Sequence, residues 1–230
     1  TNRMDAIMAA IPITRIRELI AQGIILLLDI SHWQGKWDSL KAKAEGIKGV
    51  YIKVGDPDMF GWADTTYPYY REKAVLALMD YGGYWFFRPE HNGITQAKKF
   101  IELMGLGYTL RPVVDVEKNV RGVSRSIFRL RLKNFLQYVE KDTGNRCIIY
   151  TRASFWDPQL GNEAWMSDYE FMVANYTENP VPILPICVGS EAIWQRYADG
   201  DMLGAALGFE SYSIDVDLVW PATKYSEVKL

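Results

Sequence analysis

Asp115 and Glu117, one residue apart at the end of the apolar run PVVDVEKN (112 to 119), are the side chains of this chain best placed to do chemistry. Alternation turns residues i and i+2 of a strand to the same face, about 6.6 Å apart at roughly 3.3 Å per residue. A strand bound for a core has no structural use for acids there, so one surface would carry both. Asp29 closes another apolar run, and Asp215 and Asp217 sit in SIDVDLV (213 to 219). Carboxylates crowded into one cleft repel, so at least one holds its proton near neutral pH while another stays ionised. A proton donor beside an anionic stabiliser is the working pair of glycosidic bond cleavage. Two other uses of the acids stay open. A single acid at a strand end can cap the following helix, as Asp29 could before SHW. Hard oxygen ligands can also hold magnesium or calcium, although no Asp-x-Asp-x-Asp-Gly loop is present.

Other catalytic classes find little support. His32 and His91 are the only imidazoles, and no GxSxG elbow accompanies them. The dinucleotide fingerprint GxGxxG and the phosphate loop GxxxxGK[ST] are absent. Cys147 and Cys187 lack CxxC spacing and only two His accompany them, so a Cys/His zinc site is not expected; the two read as buried free thiols, with a single disulfide between them as the alternative.

The elements that must position the acids follow from periodicity. Strand-like segments fall at 24 to 31, 49 to 55, 82 to 87, 111 to 117, 147 to 151, 169 to 176, 192 to 197 and 213 to 219. Between the earlier ones lie the helical patterns WDSLKAKAEG, YYREKAVLALMDYG, ITQAKKFIELMG and VSRSIFRLRLKNFLQYVEKDTG. Strand and helix alternating in this way predict a parallel sheet with right-handed crossovers, and eight strands point to an α/β barrel. The gaps after Tyr176 and Tyr197 hold Pro180, Pro182, Pro185 and several glycines instead of long amphipathic runs, so loops or hairpins are expected there. In such a barrel the strand C-termini converge on one face, where active sites sit. Acids from the first, fourth and last strands would meet on it.

The 230 residues suit one domain, with a helical N-terminal extension (1 to 22, interrupted by Pro12), the barrel (23 to 222) and a C-terminal tail (223 to 230). A net charge of −2 excludes a broad basic field for nucleic acid or anionic membrane. Arg121, Arg125, Arg129 and Arg131 read as the solvated side of a helix. No apolar run approaches the ~20 residues of a membrane span, and residues 1 to 28 show no clear signal peptide. Eight Trp and fourteen Tyr suit core packing and equally suit stacking on a sugar ring.

The ordered pieces LLDISHWQGKWD, YIKVG, GGYWFFRP followed by QAKKFIE, PVVDVE, TGNRCIIYT, VANY, AIWQRY and VDLVW span residues 24 to 220. Together they resemble glycoside hydrolase family 25, the lysozymes of some bacteria, fungi and bacteriophages. The resemblance implies a flattened, TIM-barrel-like eight-stranded barrel whose last three strands lack regular helices. It also implies cleavage of the β-1,4 bond between N-acetylmuramic acid and N-acetylglucosamine in peptidoglycan, with retention and without a cofactor. Carried over by position, Glu117 is similar to the general acid and base, and Asp115 to the carboxylate that orients or stabilises the 2-acetamido group. Asp29 and Asp217 match the supporting acids. Asp215 is the alternative to Asp217, whose following Leu-Val-Trp fits the family pattern better. Trp33, Tyr84, Trp85, Tyr150, Asn175, Tyr176 and Trp194 are the expected cleft lining, with Gln195 and Trp194 on opposite faces of their strand.

Two departures stand out: Trp85 where the family usually has His, and Val54-Gly55-Asp56 where it usually has Ala-Thr-Glu. They motivate a rival reading, a glycan-binding or virion structural module on the same fold. The expected partner is bacterial cell-wall peptidoglycan, with a larger phage assembly reached through the N-terminal extension as a further option. The expected location is extracellular, at the cell wall, or in a phage particle or its lysis machinery.

Overall fold

The computed structural model describes residues 11–177, 179–189, 193–197, 203–219 and 224–230. Eight strands close into one barrel in sequence order: β1 (Ile25–Ile30), β2 (Gly49–Gly55), β3 (Asp80–Phe86), β4 (Val113–Asp115), β5 (Ile148–Thr151), β6 (Phe171–Ala174), β7 (Ile193–Tyr197) and β8 (Asp215–Val219). Neighbours from β1 to β7 pair in parallel. The last strand, β8, runs antiparallel to both β7 and β1, so the expected all-parallel sheet is reversed at one strand. β8 therefore starts at the end of the barrel where β7 finishes.

The crossovers of the first half carry α2 (Ser39–Ala44), α3 (Tyr67–Leu76), α4 (Gly93–Met104) and α5 (Arg125–Thr143), all at the sites of the sequence patterns. After β5 comes the short α6 (Ala153–Gln159), and between β7 and β8 the single turn α7 (Leu203–Ala206). In α4 and α5, apolar residues at helical spacing, among them Phe100, Met104, Phe128, Leu132, Phe135 and Val139, bury one face in the layer between sheet and helices. The two helices approach so closely at Gly93 that an added Cβ would lie 1.9 Å from the Arg131 carbonyl oxygen.

Two apolar cores result from strand alternation. Leu26, Leu28, Val50, Ile52, Val114, Ile149 and Val173 face the helices. Leu27, Tyr51, Val113, Ile148, Met172, Ile193 and Val219 fill the barrel's interior. The segments at either end of the chain are not separate appendages. Within the expected N-terminal extension, α1 (Ile13–Ala21) buries Ile16 and Leu19 in the outer core, each stabilising by about 1.5–3 kcal/mol. Residues 1 to 10 of that extension lie outside the described residues. In the expected tail, α8 (Tyr225–Val228) inserts Tyr225 and Val228 into the inner core, and the Arg111 N–H donates to the Val228 carbonyl at 2.8 Å. Among the described residues no helix is long and apolar enough to cross a membrane.

Candidate active site

The inward parity that gives Leu27, Tyr51, Val113 and Ile148 to the barrel floor gives the next inward positions toward the strand C-termini to Asp29, Lys53, Asp115 and Tyr150. Tyr84 on β3 packs against the same inner core. The chain continues beyond β4 in the same alternation. Val116 is buried in the outer core, its N–H donating to the Tyr150 carbonyl and its carbonyl accepting from the Thr151 hydroxyl at 2.7 Å, so Glu117 returns to the interior side. Asp29 is not spent as a helix cap. The short 3-10 turn His32–Gln34 is held instead by Ser31, whose N–H donates to the Gln34 side chain at 2.7 Å.

Antiparallel β8 enters the barrel from the mouth, so its first residue lies highest. Asp215 pairs in register with Asp29, whereas Asp217 pairs with Leu27 one layer below and with Gln195 on the other side. Asp217 is 0% exposed, and its carboxyl makes no hydrogen bond of good geometry, with the Gln195 side chain as its near polar neighbour. The structure therefore brings Asp215, rather than the expected Asp217, to the level of Asp29. The reason is strand direction: the C-terminal end of β8 points to the barrel floor.

The electrostatics follow from this crowding. Burial pushes the Asp29 carboxyl well above its ordinary range, with the Asp215 charge adding to it and the Tyr84 hydroxyl and Lys53 opposing. Burial likewise pushes Asp115 well up, reinforced by Glu117 and then Asp29. Asp217 is raised well above its usual value by burial, with smaller contributions from Asp29 and Asp215 and the Gln195 side chain opposing. The cluster thus holds protons under conditions that ionise isolated carboxyls. One Asp115 oxygen, Oδ1, is buried without a partner, and a cavity of about 10 Å³ lined by Asp29, Tyr51, Tyr84, Val113, Asp115, Tyr150 and Met172 lies among these groups. Among the described residues no group of three or more His, Cys, Asp or Glu side chains is arranged to hold a metal ion.

The expected aromatic lining divides. Tyr84 and Tyr150 stand beside the acids, and Tyr176 reaches back over the mouth to place its hydroxyl 2.7 Å from Gln195 Oε1. Trp33 lies on the rim and is 76% exposed, open to stacking. Trp85 does not line the cleft: it is fully buried against Phe100 on the helix side, and its indole N–H donates to the Gln96 side chain at 3.2 Å. Trp194 also falls on the outer side of its strand. Its indole N–H donates to the Asn175 carbonyl at 2.8 Å, and the Arg196 guanidinium sits 4.6 Å from its ring centre. Asn175 braces the rim, its side-chain oxygen accepting the Ile183 N–H at 3.0 Å. The physical reason is the pleat, which gives alternate residues of β3, β6 and β7 to opposite faces.

Several residues of the site lie outside the lining expected from the sequence. Gln195 is 1% exposed at the centre of the inward cluster. Its parity opposite Trp194 was the available signal. Phe86, in register with Asp115, has Lys53 Nζ at 4.9 Å, Arg88 Cζ at 4.5 Å and Lys118 Nζ at 5.3 Å from its ring centre. Asp56, in the loop that departs from the family pattern, takes two hydrogen bonds from Arg88 at 2.9 and 3.0 Å. Burial alone would raise the Asp56 carboxyl, yet Arg88 and Lys53 hold it below the usual range. No local pattern announced this pairing, because its partners are 32 residues apart.

A closed α/β barrel whose mouth gathers carboxyls from its first, fourth and last strands, with buried proton-holding acids beside one another, is an arrangement suited to carboxyl-driven cleavage of glycosidic bonds. The comparisons with known proteins agree. Residues 28–205 match the model for glycosyl hydrolases family 25. Lysozyme M1 of Streptomyces globisporus is 27% identical over 190 residues, which cover 78% of this chain and 64% of that relative's length. A bacterial lysozyme from Streptomyces coelicolor superposes with a TM-score of 0.75 at 26% identity, covering 85% of this chain and 92% of that one. A family GH25 lysozyme from Aspergillus fumigatus gives 0.76 at 26% identity, covering 89% and 98%. The chain belongs to glycosyl hydrolases family 25.

Proposed function

We propose that this protein hydrolyses the β-1,4 bond between N-acetylmuramic acid and N-acetylglucosamine in bacterial peptidoglycan, acting at the cell wall. The observation that carries this reading is the convergence at the barrel mouth of Asp29, Asp115 and Asp215 around the interior-facing Glu117. Glu117 donates a proton to the leaving oxygen and then takes one from the incoming water. Asp115, held beside it with a buried oxygen, Oδ1, that has no protein partner, orients the substrate's 2-acetamido group so that its carbonyl oxygen attacks the anomeric carbon, and the configuration is retained. Asp29 and Asp215 form the supporting pair. Lys53 moderates the negative field on both Asp29 and Asp115. The position that departs most visibly from the family, Trp85, lies behind the sheet and removes no group from the cleft. The test is release of reducing ends from purified sacculi: the wild type is active and Glu117→Gln is reduced at least ~10²-fold, the usual weight of a general acid. Equal release by both proteins excludes this role for Glu117. Tight binding of sacculi with no release by the wild type favours a glycan-binding module.

A further inference from the structure

Gln195 sits between the acids and the aromatic wall. Its side-chain oxygen accepts hydrogen bonds from the Tyr150 hydroxyl at 2.8 Å and the Tyr176 hydroxyl at 2.7 Å, and its amide nitrogen lies 3.5 Å from Asp29 Oδ2. Asp217 is its register partner on β8. The acids decide which way the amide points, since a flipped amide would set its carbonyl oxygen against carboxyl oxygens and its N–H groups against two phenols. With both lone pairs of Oε1 occupied by phenol protons, neither hydroxyl retains a proton to offer the cleft. Burial raises both phenols above their ordinary range, Tyr150 well above it, so they stay protonated and keep donating to Gln195.

We propose that Gln195 is a positioning residue that makes Tyr150 and Tyr176 hydrogen-bond acceptors toward the cleft, so that this wall selects a glycan group presenting N–H or O–H donors. Tyr150 is in register with Asp115, so the donor it receives belongs to the same sugar that Asp115 orients. This last point rests on the proposed hydrolase reading, whereas the polarity of the wall does not.

The experiment compares Gln195→Leu, Gln195→Glu, Tyr150→Phe/Tyr176→Phe and the combination of Gln195→Leu with both Phe changes, each checked for cooperative unfolding. Gln195→Glu in its protonated form keeps a carbonyl acceptor for both phenols and an O–H toward Asp29, so it is assayed at acidic pH as well, whereas Gln195→Leu keeps shape without polarity. With sacculi as substrate, Gln195→Leu raises KM about tenfold, the scale of one or two neutral hydrogen bonds, with a much smaller change in kcat. Gln195→Glu restores KM to within about threefold of wild type. The combined variant is no worse than the Phe pair alone, because residues acting through one another are non-additive. Co-sedimentation with sacculi in the Glu117→Gln background gives the same order of affinities without requiring turnover. That separates failure of this inference from failure of the hydrolase reading. An unchanged KM and unchanged sedimentation for Gln195→Leu, or a multiplied effect in the combined variant, overturns the proposal.

Discussion

Asp217→Asn tests the reasoning about the barrel interior most directly. The carboxyl is fully buried without a hydrogen bond of good geometry, and burial first, then Asp29 and Asp215, favour its protonated form over the weaker opposing effect of Gln195. In the unfolded chain an aspartate ionises near pH 3.9. Across the window between that value and the raised folded value, the native state binds one more proton than the unfolded state. Stability then falls by about 1.4 kcal/mol per pH unit from this group alone. The neutral carboxyl costs nothing extra below the unfolded pKa, the penalty grows through the window, and it levels off above the folded pKa. Asparagine has nearly the same shape and no titration. The two proteins are therefore expected to be of similar stability at pH 4, and the variant to gain on the wild type by about 3 kcal/mol over each two units within the window, a large share of a typical domain stability. Urea unfolding followed by tryptophan fluorescence at pH 4, 5, 6 and 7 measures the difference. A constant difference across that range, or a variant less stable than wild type at pH 7, refutes the account of Asp217 as a proton-holding buried acid.

Arg88→Met leaves Asp56 buried without its bidentate partner and is expected to destabilise by about 3 kcal/mol at neutral pH. Because the folded Asp56 value is depressed, its contribution is present above the unfolded value and is lost as pH falls through the folded one, so the denaturant midpoints of the two proteins converge below about pH 4. Trp85→His, which restores the residue common in the family, opens space against Phe100 and costs about 3 kcal/mol in thermal or urea unfolding, while reducing-end release at low temperature is retained. A matching loss of activity there would place Trp85 in the cleft after all. If the acetamido oxygen is the attacking group, sacculi chemically N-deacetylated at muramic acid are turned over at least ~10²-fold more slowly, whereas direct carboxylate attack leaves the rate within a few-fold.

Much of this molecule is legible in its one-dimensional pattern. Apolar runs of strand length place the strands within two residues at either end, with β2 at its expected bounds, and the 3.6-residue period places α4 and α5. Acids terminating apolar runs mark Asp29, Asp115 and Glu117. Alternation further requires that of Trp194 and Gln195 one face inward, and the register with Asp217 shows it is Gln195. Trp85 was misplaced for a different reason: its chemistry fits a sugar site, but its parity opposite Tyr84 assigns it to the helix side.

The tertiary structure decided what a period-two pattern does not encode. Such a pattern reads the same in both directions, so SIDVDLV puts Asp215 and Asp217 on one face without indicating which lies nearer the mouth. Closure of the barrel through antiparallel pairing of β8 with β7 and β1 makes that choice, lifting Asp215 beside Asp29 and burying Asp217 beneath. The same closure leaves apolar surface at the barrel floor and outer wall, and α8 and α1 cover it. Sequence alone determined which residues are chemically capable; the direction of a single strand determined which of them meet.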